Sequence, residues 1–263
     1  MGVLGFSDKC RTFHTLALWL TSQRTSLVIS EALQGLNEVA SVVTPTLPSP
    51  LPFSHCMTDA DVAGKTAFES VFSHEQDGDA PAFVITVLMC FFHVLYNVNK
   101  RVHSWNFALQ EVIYLGIYSM HFCRSLDGFL EMREKYKTSW SQHANQRVKD
   151  FAEYFFPQWC NYDSGALFWM WQIYHSPIGF ATTNNPVEIF NKDFKILTEH
   201  KLHTTVSLLM VMINALKTIG SVKTYESSIC IPKKDAINRS NQMVKTGRLL
   251  CSSGEYPHLV KVS

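Results

Sequence analysis

The chain has 263 residues, a length that fits one large domain or two small ones with a substantial hydrophobic core. Hydrophobic residues make up 46% of it and charged residues 17%, which is typical of a globular protein and excludes a highly charged disordered chain. The formal net charge is +1, so the overall charge does not by itself indicate a nucleic-acid-binding protein.

The cysteines indicate a reducing compartment, because the seven of them are scattered along the chain and odd in number. No Cys-x-x-Cys pair occurs, which excludes a zinc ribbon built from such pairs. Residues 81–98 are apolar enough to resemble a membrane span, but they contain His93 and Asn97, and Lys100 and Arg101 follow closely. We therefore predict a buried strand that runs into a helix there, and no membrane partner.

The first part of the chain alternates between period-two and helical hydrophobic patterns. Strands are predicted at 3–6, 13–20, 53–57 and 83–89, and helices at 27–43, 62–72 and 90–101. Polar turns are predicted at 7–11 and 74–79, and the prolines of 44–52 predict an irregular connection. Alternation of this kind is typical of an α/β sheet.

The texture of the sequence changes from about residue 104 to residue 180. Aromatic-rich segments with helical spacing dominate this stretch, and they include Trp169–Trp171. Such aromatic residues usually belong to a core, although they can also stack on bases. A further apolar helix is predicted at 206–216, the pattern weakens after Val222, and an irregular tail is expected from Ser252.

Residues 182–195 predict the start of a helix that carries one acidic residue in its first turn. Asn185 is a favourable N-cap, Pro186 suits the first helical position, and Glu188 falls at the third. A glutamate at that position completes a capping box and needs no catalytic role. Glu188 is also a candidate catalytic acid, and the residues alone leave both interpretations open.

Asp59 and Asp61 lie between a predicted strand and a predicted helix. A carboxylate at the carboxyl end of a strand is well placed to hold a metal ion above the sheet edge. Either aspartate can instead cap the helix that follows.

Cys90 and His93 are spaced so that they share one face of a helical turn. Two such side chains hold zinc only with ligands from elsewhere, and packing in the core is the alternative.

Four segments, in this order, resemble successive blocks of Mutator-like (MULE) transposases. They read VLGFSDKCRTFHTLALWLTSQ, MTDADVAGKTAF, LMCFFHVLYNV and GFATTNNPVEIFNKDFK, and the resemblance covers roughly residues 2–220. It implies an α/β fold with a ribonuclease-H-like mixed sheet, interrupted by an all-helical insertion and missing its N-terminal strand. The implied division is 1–101 for the first part of the core, 102–181 for the insertion and 182–222 for the returning helices. Residues 223–263 would form a C-terminal tail, a truncated link to a SWIM-type finger.

The resemblance also implies which residues carry the chemistry. Asp59 matches the second acid and Glu188 the last acid of the catalytic Asp-Asp-Glu triad, and Cys90 and His93 match a motif beside the active site. In the intact family these acids bind Mg²⁺ or Mn²⁺, with which phosphodiester strands are cleaved and transferred.

The family's first catalytic Asp lies in a strand before the VLGFSD block and has no counterpart in this sequence, because Asp8 matches an acid in the turn that follows. We therefore expect a transposase fragment without activity. DNA is the expected partner, the nucleus the expected location, and a homo-oligomer the expected assembly. From Lys192 onward, eleven Lys or Arg stand against five acids, a charge of +6, which fits a polyanionic partner and equally fits a solvated surface. The alternative is a domesticated, non-catalytic DNA-binding or transcription-related protein.

Overall fold

The structure is a computed structural model, and the residues that it describes are 2–7, 13–73, 83–162, 167–177, 180, 182–199, 201–220, 238, 242, 249–251 and 260–262. The chain divides into two compact units, Met1–Thr224 and Tyr225–Ser263. The strands are β1 Gly2–Ser7, β2 Phe13–Trp19, β3 His55–Thr58, β4 Thr86–Met89, β5 Leu249–Cys251 and β6 Val260–Val262. The helices are α1 Ser26–Val43, α2 Val62–Phe72, α3 Phe91–Val102, α4 Phe107–His121, α5 Leu126–Ser141, α6 Gln146–Trp159, α7 Asn185–Leu197 and α8 Thr205–Gly220, with a short 3₁₀ helix at Ile173–His175.

The strands form separate two-stranded sheets. In the first unit, β1 and β2 are antiparallel, and β3 and β4 are parallel. In the second unit, β5 pairs with β6 in antiparallel fashion. The described residues therefore form a mixed α/β structure, as the sequence predicted, and helices predominate in it.

Most helices begin where a polar side chain accepts a hydrogen bond from the first turn. Thr25, Asp61, Asn106, Ser125 and Asn145 do so for α1, α2, α4, α5 and α6 respectively. Such N-caps stabilise a helix by about 1 kcal/mol each and fix where it starts. The starts of α3 and α7 have no side-chain cap of this kind.

The largest hydrophobic cluster joins α3, α4, α5 and α6 to the segment around Trp171. Trp140 and Phe155 are fully buried in it and pack at 5.8 Å between ring centroids. Gly116 of α4 lies so close to α5 that an added Cβ would stand 2.4 Å from Cζ2 of Trp140. This close approach brings α4 and α5 into direct contact.

The β1–β2 hairpin contributes to two smaller clusters, one on each face. Leu4 and Trp19 pack with residues of α1, α2, β3 and β4, whereas Val3 and Phe13 pack with residues of α7 and α8. Successive side chains of a strand point to opposite faces, so the hairpin is covered by helices on both sides. Residues of both strand pairs share the cluster that contains Leu33 of α1.

Helix periodicity predicted α1, α2, α3 and α8 to within a few residues. The strands β3 and β4 are shorter than predicted, since they begin at His55 and Thr86. The helical assignment of Trp169–Trp171 was wrong, because this segment has no regular structure. The irregular tail from Ser252 was also wrong in part, because β6 lies within it.

The predicted turn at 7–11 falls almost wholly outside the described residues, and so do the turn at 74–79 and most of the tail 223–263. Within the described part of the chain, no helix combines the length and the apolar character that crossing a membrane requires.

Candidate functional site

The candidate site lies at the carboxyl ends of the parallel strands β3 and β4. Thr58 and Met89 are the last paired residues of the two strands, so Asp59 and Cys90 follow them at the same sheet edge. The backbone N–H of Cys90 donates to the carbonyl oxygen of Thr58 over 3.1 Å and keeps the two ends together. In α/β sheets this edge is the usual place for ligands.

Asp59 and His93 are in contact at this edge. Nδ1 of His93 lies 3.2 Å from Oδ1 of Asp59, and the two side chains are 22% and 38% exposed. The distance permits a hydrogen bond, but Nδ1 is buried and makes none, so the N–H direction does not point at the carboxylate. The two side chains are therefore in close contact without a hydrogen bond between them.

Asn184 connects the start of α7 to both strand ends. Its side-chain Nδ2 donates to Oδ1 of Asp59 over 3.2 Å, and its backbone N–H donates to Sγ of Cys90 over 3.1 Å. Nearby, the backbone N–H of Phe91 donates to the carbonyl oxygen of Thr182 over 3.2 Å. Three contacts of this kind fix where α7 begins relative to the sheet edge.

The thiol of Cys90 is fully buried beneath these residues. Burial raises the pKa of this thiol above its ordinary value, and the negative charge of Asp59 raises it further. Hydrogen bonds from backbone N–H groups, of which that of Asn184 has the largest effect, lower the pKa but do not offset the burial. The thiol therefore stays protonated near neutral pH and serves as a hydrogen-bond acceptor in the packing, rather than as a nucleophile.

The structure decides which of the two neighbouring aspartates is the helix cap. Oδ2 of Asp61 accepts from the backbone N–H of Gly64 over 3.2 Å and from Nε of Arg24 over 3.0 Å. Asp61 is thus occupied in capping α2, whereas Asp59 faces His93 and Asn184. Of the two, Asp59 is therefore the one that does not serve as a helix cap.

Glu188 lies in the first turn of α7, but the capping box predicted for it is absent. The N-cap is Asn184 and not Asn185, so Glu188 occupies the fourth helical position instead of the third. Its backbone N–H donates to the carbonyl oxygen of Asn184 over 3.2 Å. Residues four apart share one face of a helix, which places Glu188 on the same side of α7 as Asn184.

The described residues do not assemble a complete metal-binding group. Among them, no three or more His, Cys, Asp or Glu side chains gather in a way that would hold an ion. Asp59 and Glu188 lie at the ends of separate elements, and Oδ1 of Asp59 is already engaged by Asn184. A bound Mg²⁺ or Mn²⁺ would need further oxygen ligands.

Sequence reasoning identified Asp59, Cys90 and His93 but missed Asn184. The only signal was the pair of adjacent asparagines before Pro186, and the pattern assigned the wrong one to the cap.

Comparisons with known proteins leave the function to be argued from these residues. No protein-family model, no curated protein and no solved structure matches the chain.

Proposed function

We propose that this chain derives from the catalytic domain of a Mutator-like transposase, an Asp-Asp-Glu-type enzyme of metal-dependent DNA strand cleavage and transfer. One observation carries the proposal. Three of the four sequence blocks on which the resemblance rests meet at Asp59, which is contacted by His93 from one block and by Asn184 from another.

This meeting is not a by-product of local structure. Asn184 is 125 residues from Asp59 and 94 residues from Cys90 along the chain, so only the tertiary fold brings them together. Helix capping does not require these contacts, because Asp61 already caps α2 and Asn184 gives α7 no side-chain cap. Polar residues that converge at a sheet edge for no local reason are candidates for a functional site.

The strand pairs also support a ribonuclease-H-like mixed sheet. One pair is antiparallel, the other is parallel, and both pack against the cluster that contains Leu33 of α1 and Phe72 of α2. A mixed sheet with helices on both faces would combine these pairs, and α7 and α8 cover the opposite face of the hairpin.

Within the transposase interpretation, this chain by itself is expected not to cleave DNA. Residues 1–263 contain counterparts of two of the three acids, Asp59 and Glu188. The engagement of Asp59 by Asn184 specifically favours the second candidate function, a domesticated DNA-binding protein in which the acidic site has become structural. Both proposals place the protein on DNA in the nucleus.

One experiment tests both proposals. Purified chain is titrated into labelled duplex DNA at several salt concentrations, and the same samples are incubated with supercoiled plasmid and Mg²⁺ or Mn²⁺. The proposals predict binding that weakens steeply with salt, because phosphate contacts release counterions. They also predict plasmid nicking no greater for the chain than for Glu188→Gln.

The outcomes separate the candidates. Nicking that is lost in Glu188→Gln and Asp59→Asn, but kept in the control Glu111→Gln on the exposed surface of α4, would refute the inactive state and support the enzyme. Absence of DNA binding even at low salt would refute the transposase and the DNA-binding proposals together.

A further inference from the structure

The exposed face of α3 carries two aromatic rings and a cation in a row. Phe92, Tyr96 and Lys100 are four residues apart, and we call them the α3 strip. The rings of Phe92 and Tyr96 are nearly parallel, with centroids 6.3 Å apart and an interplanar angle of 16°. Nζ of Lys100 lies 4.2 Å from the centroid of Tyr96.

The strip is solvent-exposed although its helix is firmly anchored. Val94, Val98 and Val102 on the opposite face of α3 are completely buried, whereas Phe92 is 41% and Tyr96 49% exposed. The buried face fixes the helix, so the two rings are held outward without serving the core. Neighbouring exposed aromatic rings on a rigid helix are a feature of binding surfaces.

The strip begins at the candidate site. The ring of Phe92 stands edge-on to that of His93, with centroids 5.6 Å apart, and His93 in turn contacts Asp59. From Phe92 to Lys100 the helix rises about 12 Å. The α3 strip therefore extends away from Asp59, which the proposed function assigns to the former catalytic site.

The helix that carries the strip is basic, although the acidic Asp59 contacts His93 next to Phe92. Residues 81–110 contain no aspartate or glutamate, and Lys100 and Arg101 both fall in the last turn of α3. Arg101 lies 3.5 Å above the ring of Tyr154 and adds its charge beside the end of the helix. A partner that carries negative charge and flat apolar groups would match both the positive charge and the exposed aromatic rings.

We infer that the α3 strip binds an unpaired DNA strand, with bases stacked on Phe92 and Tyr96 and a phosphate paired with Lys100. The inference rests on the proposed function, since it names the form of DNA that reaches the site. Single-strand-binding proteins use this combination of aromatic platforms and cations. A duplex cannot use the rings in the same way, because the faces of its bases are hidden in the stack.

The test compares labelled oligothymidylate with a labelled duplex by fluorescence anisotropy. Tyr96→Ala and Phe92→Ala should each weaken single-strand binding about fivefold or more, since a base–aromatic stack contributes on the order of that factor. Tyr96→Phe should bind as the parent does. Lys100→Gln should reduce the slope of log affinity against log salt by about 0.7, the value for one phosphate contact on a single strand.

The matched control is Phe122→Ala, because Phe122 is 57% exposed and lies at the end of α4, outside the strip. It should leave single-strand affinity unchanged. Duplex affinity should change less than twofold in the two alanine variants of the strip. Equal losses on single strand and duplex, or no loss on either, would overturn the inference.

A second measurement does not depend on the variants being folded. Photo-crosslinking of a bromodeoxyuridine-substituted strand to the parent chain should attach it to a peptide containing residues 91–103. Attachment elsewhere would contradict the inference. If the strip fails these tests while duplex binding persists, the proposed function stands, and if no DNA binds at all, the proposed function itself fails.

Discussion

Replacement of Asn184 by aspartate probes the contact on which the candidate site depends. At a helix N-cap, Asn and Asp are about equally favourable, and a negative charge there also interacts well with the helix dipole. By local rules Asn184→Asp should therefore be neutral or stabilising for α7. The structure predicts the opposite, because the side chain of Asn184 donates to Asp59.

The expected loss of unfolding free energy in Asn184→Asp has two contributions. The substitution removes a hydrogen bond to a carboxylate, which is worth about 1 kcal/mol at a partly exposed site. It also places two carboxylates about 4 Å apart, a repulsion of about 1 kcal/mol in water and up to about 4 kcal/mol near a protein surface. Asp59 is 38% exposed, so solvent screening favours the lower part of that range. We expect a total loss of about 2 kcal/mol at pH 7.

Thermal and urea unfolding measure this loss, and the control is Asn106→Asp. Asn106 caps α4 by accepting from the backbone N–H of Leu109 over 3.0 Å, so aspartate suits it. For a unit of this size a loss of 2 kcal/mol lowers the melting temperature by about 4–8 °C. Asn106→Asp should change it little or raise it.

The pH dependence gives an independent check. The repulsion in Asn184→Asp requires both carboxylates to be ionised, so protonation of either one relieves it. The loss of unfolding free energy should therefore be small at low pH, where carboxylates are protonated, and should grow as the pH rises and they ionise. An Asn184→Asp protein as stable as the parent at pH 7, or a deficit that persists unchanged at pH 3, would refute the contact.

Three further predictions concern other parts of the structure. Gly116→Ala should lower the free energy of unfolding in urea by about 1–3 kcal/mol, because its Cβ would collide with Trp140. The control Gly35→Ala on α1, where nothing lies within 4 Å of the added Cβ, should instead stabilise the protein by about 0.5–1 kcal/mol. Equal effects of the two substitutions would contradict the close packing of α4 on α5. Burial lowers the pKa of His121 to about 4, so the unfolded state binds more protons than the folded state between pH 6.5 and 4. The free energy of unfolding should therefore fall by on the order of 3 kcal/mol as the pH drops through that window. His121→Gln should lack this part of the pH dependence. In the native protein Cys90 and Cys160 should resist a thiol reagent, because both are buried with raised pKa, and rapid labelling of either before unfolding would be inconsistent with their positions.

Helix periodicity predicted much of the fold because a buried stripe is a local property of the sequence. α2 begins and ends where the pattern placed it, since Ala67, Phe68 and Phe72 are all buried. The same reasoning failed at Trp171, which is as buried as a helical core residue although its backbone is irregular. Met170 in this segment accepts a hydrogen bond from the backbone N–H of Met89, a tertiary contact that burial alone does not reveal.

The candidate site was predictable only in part, for a related reason. The strand-to-helix transitions located Asp59 and Cys90, because the carboxyl ends of parallel strands share an edge. Adjacent asparagines at 184 and 185 are equivalent as N-caps by local preference, so the sequence could not decide between them. The contact with Asp59 makes that choice, and it depends on a residue 125 positions away.

The helices that lack a local cap are informative for the same reason. Among the α-helix N-caps that the structure characterises, only Cys90 of α3 and Asn184 of α7 accept no side-chain hydrogen bond from their own first turn. These two residues instead bond to each other, through the N–H of Asn184 and the sulfur of Cys90. Each helix thus gives up about 1 kcal/mol of local stabilisation for a contact that joins the two helix starts beside Asp59. Conflict between local preference and tertiary structure is concentrated where proteins maintain functional geometry, and in the first unit it falls on the site that the sequence blocks share.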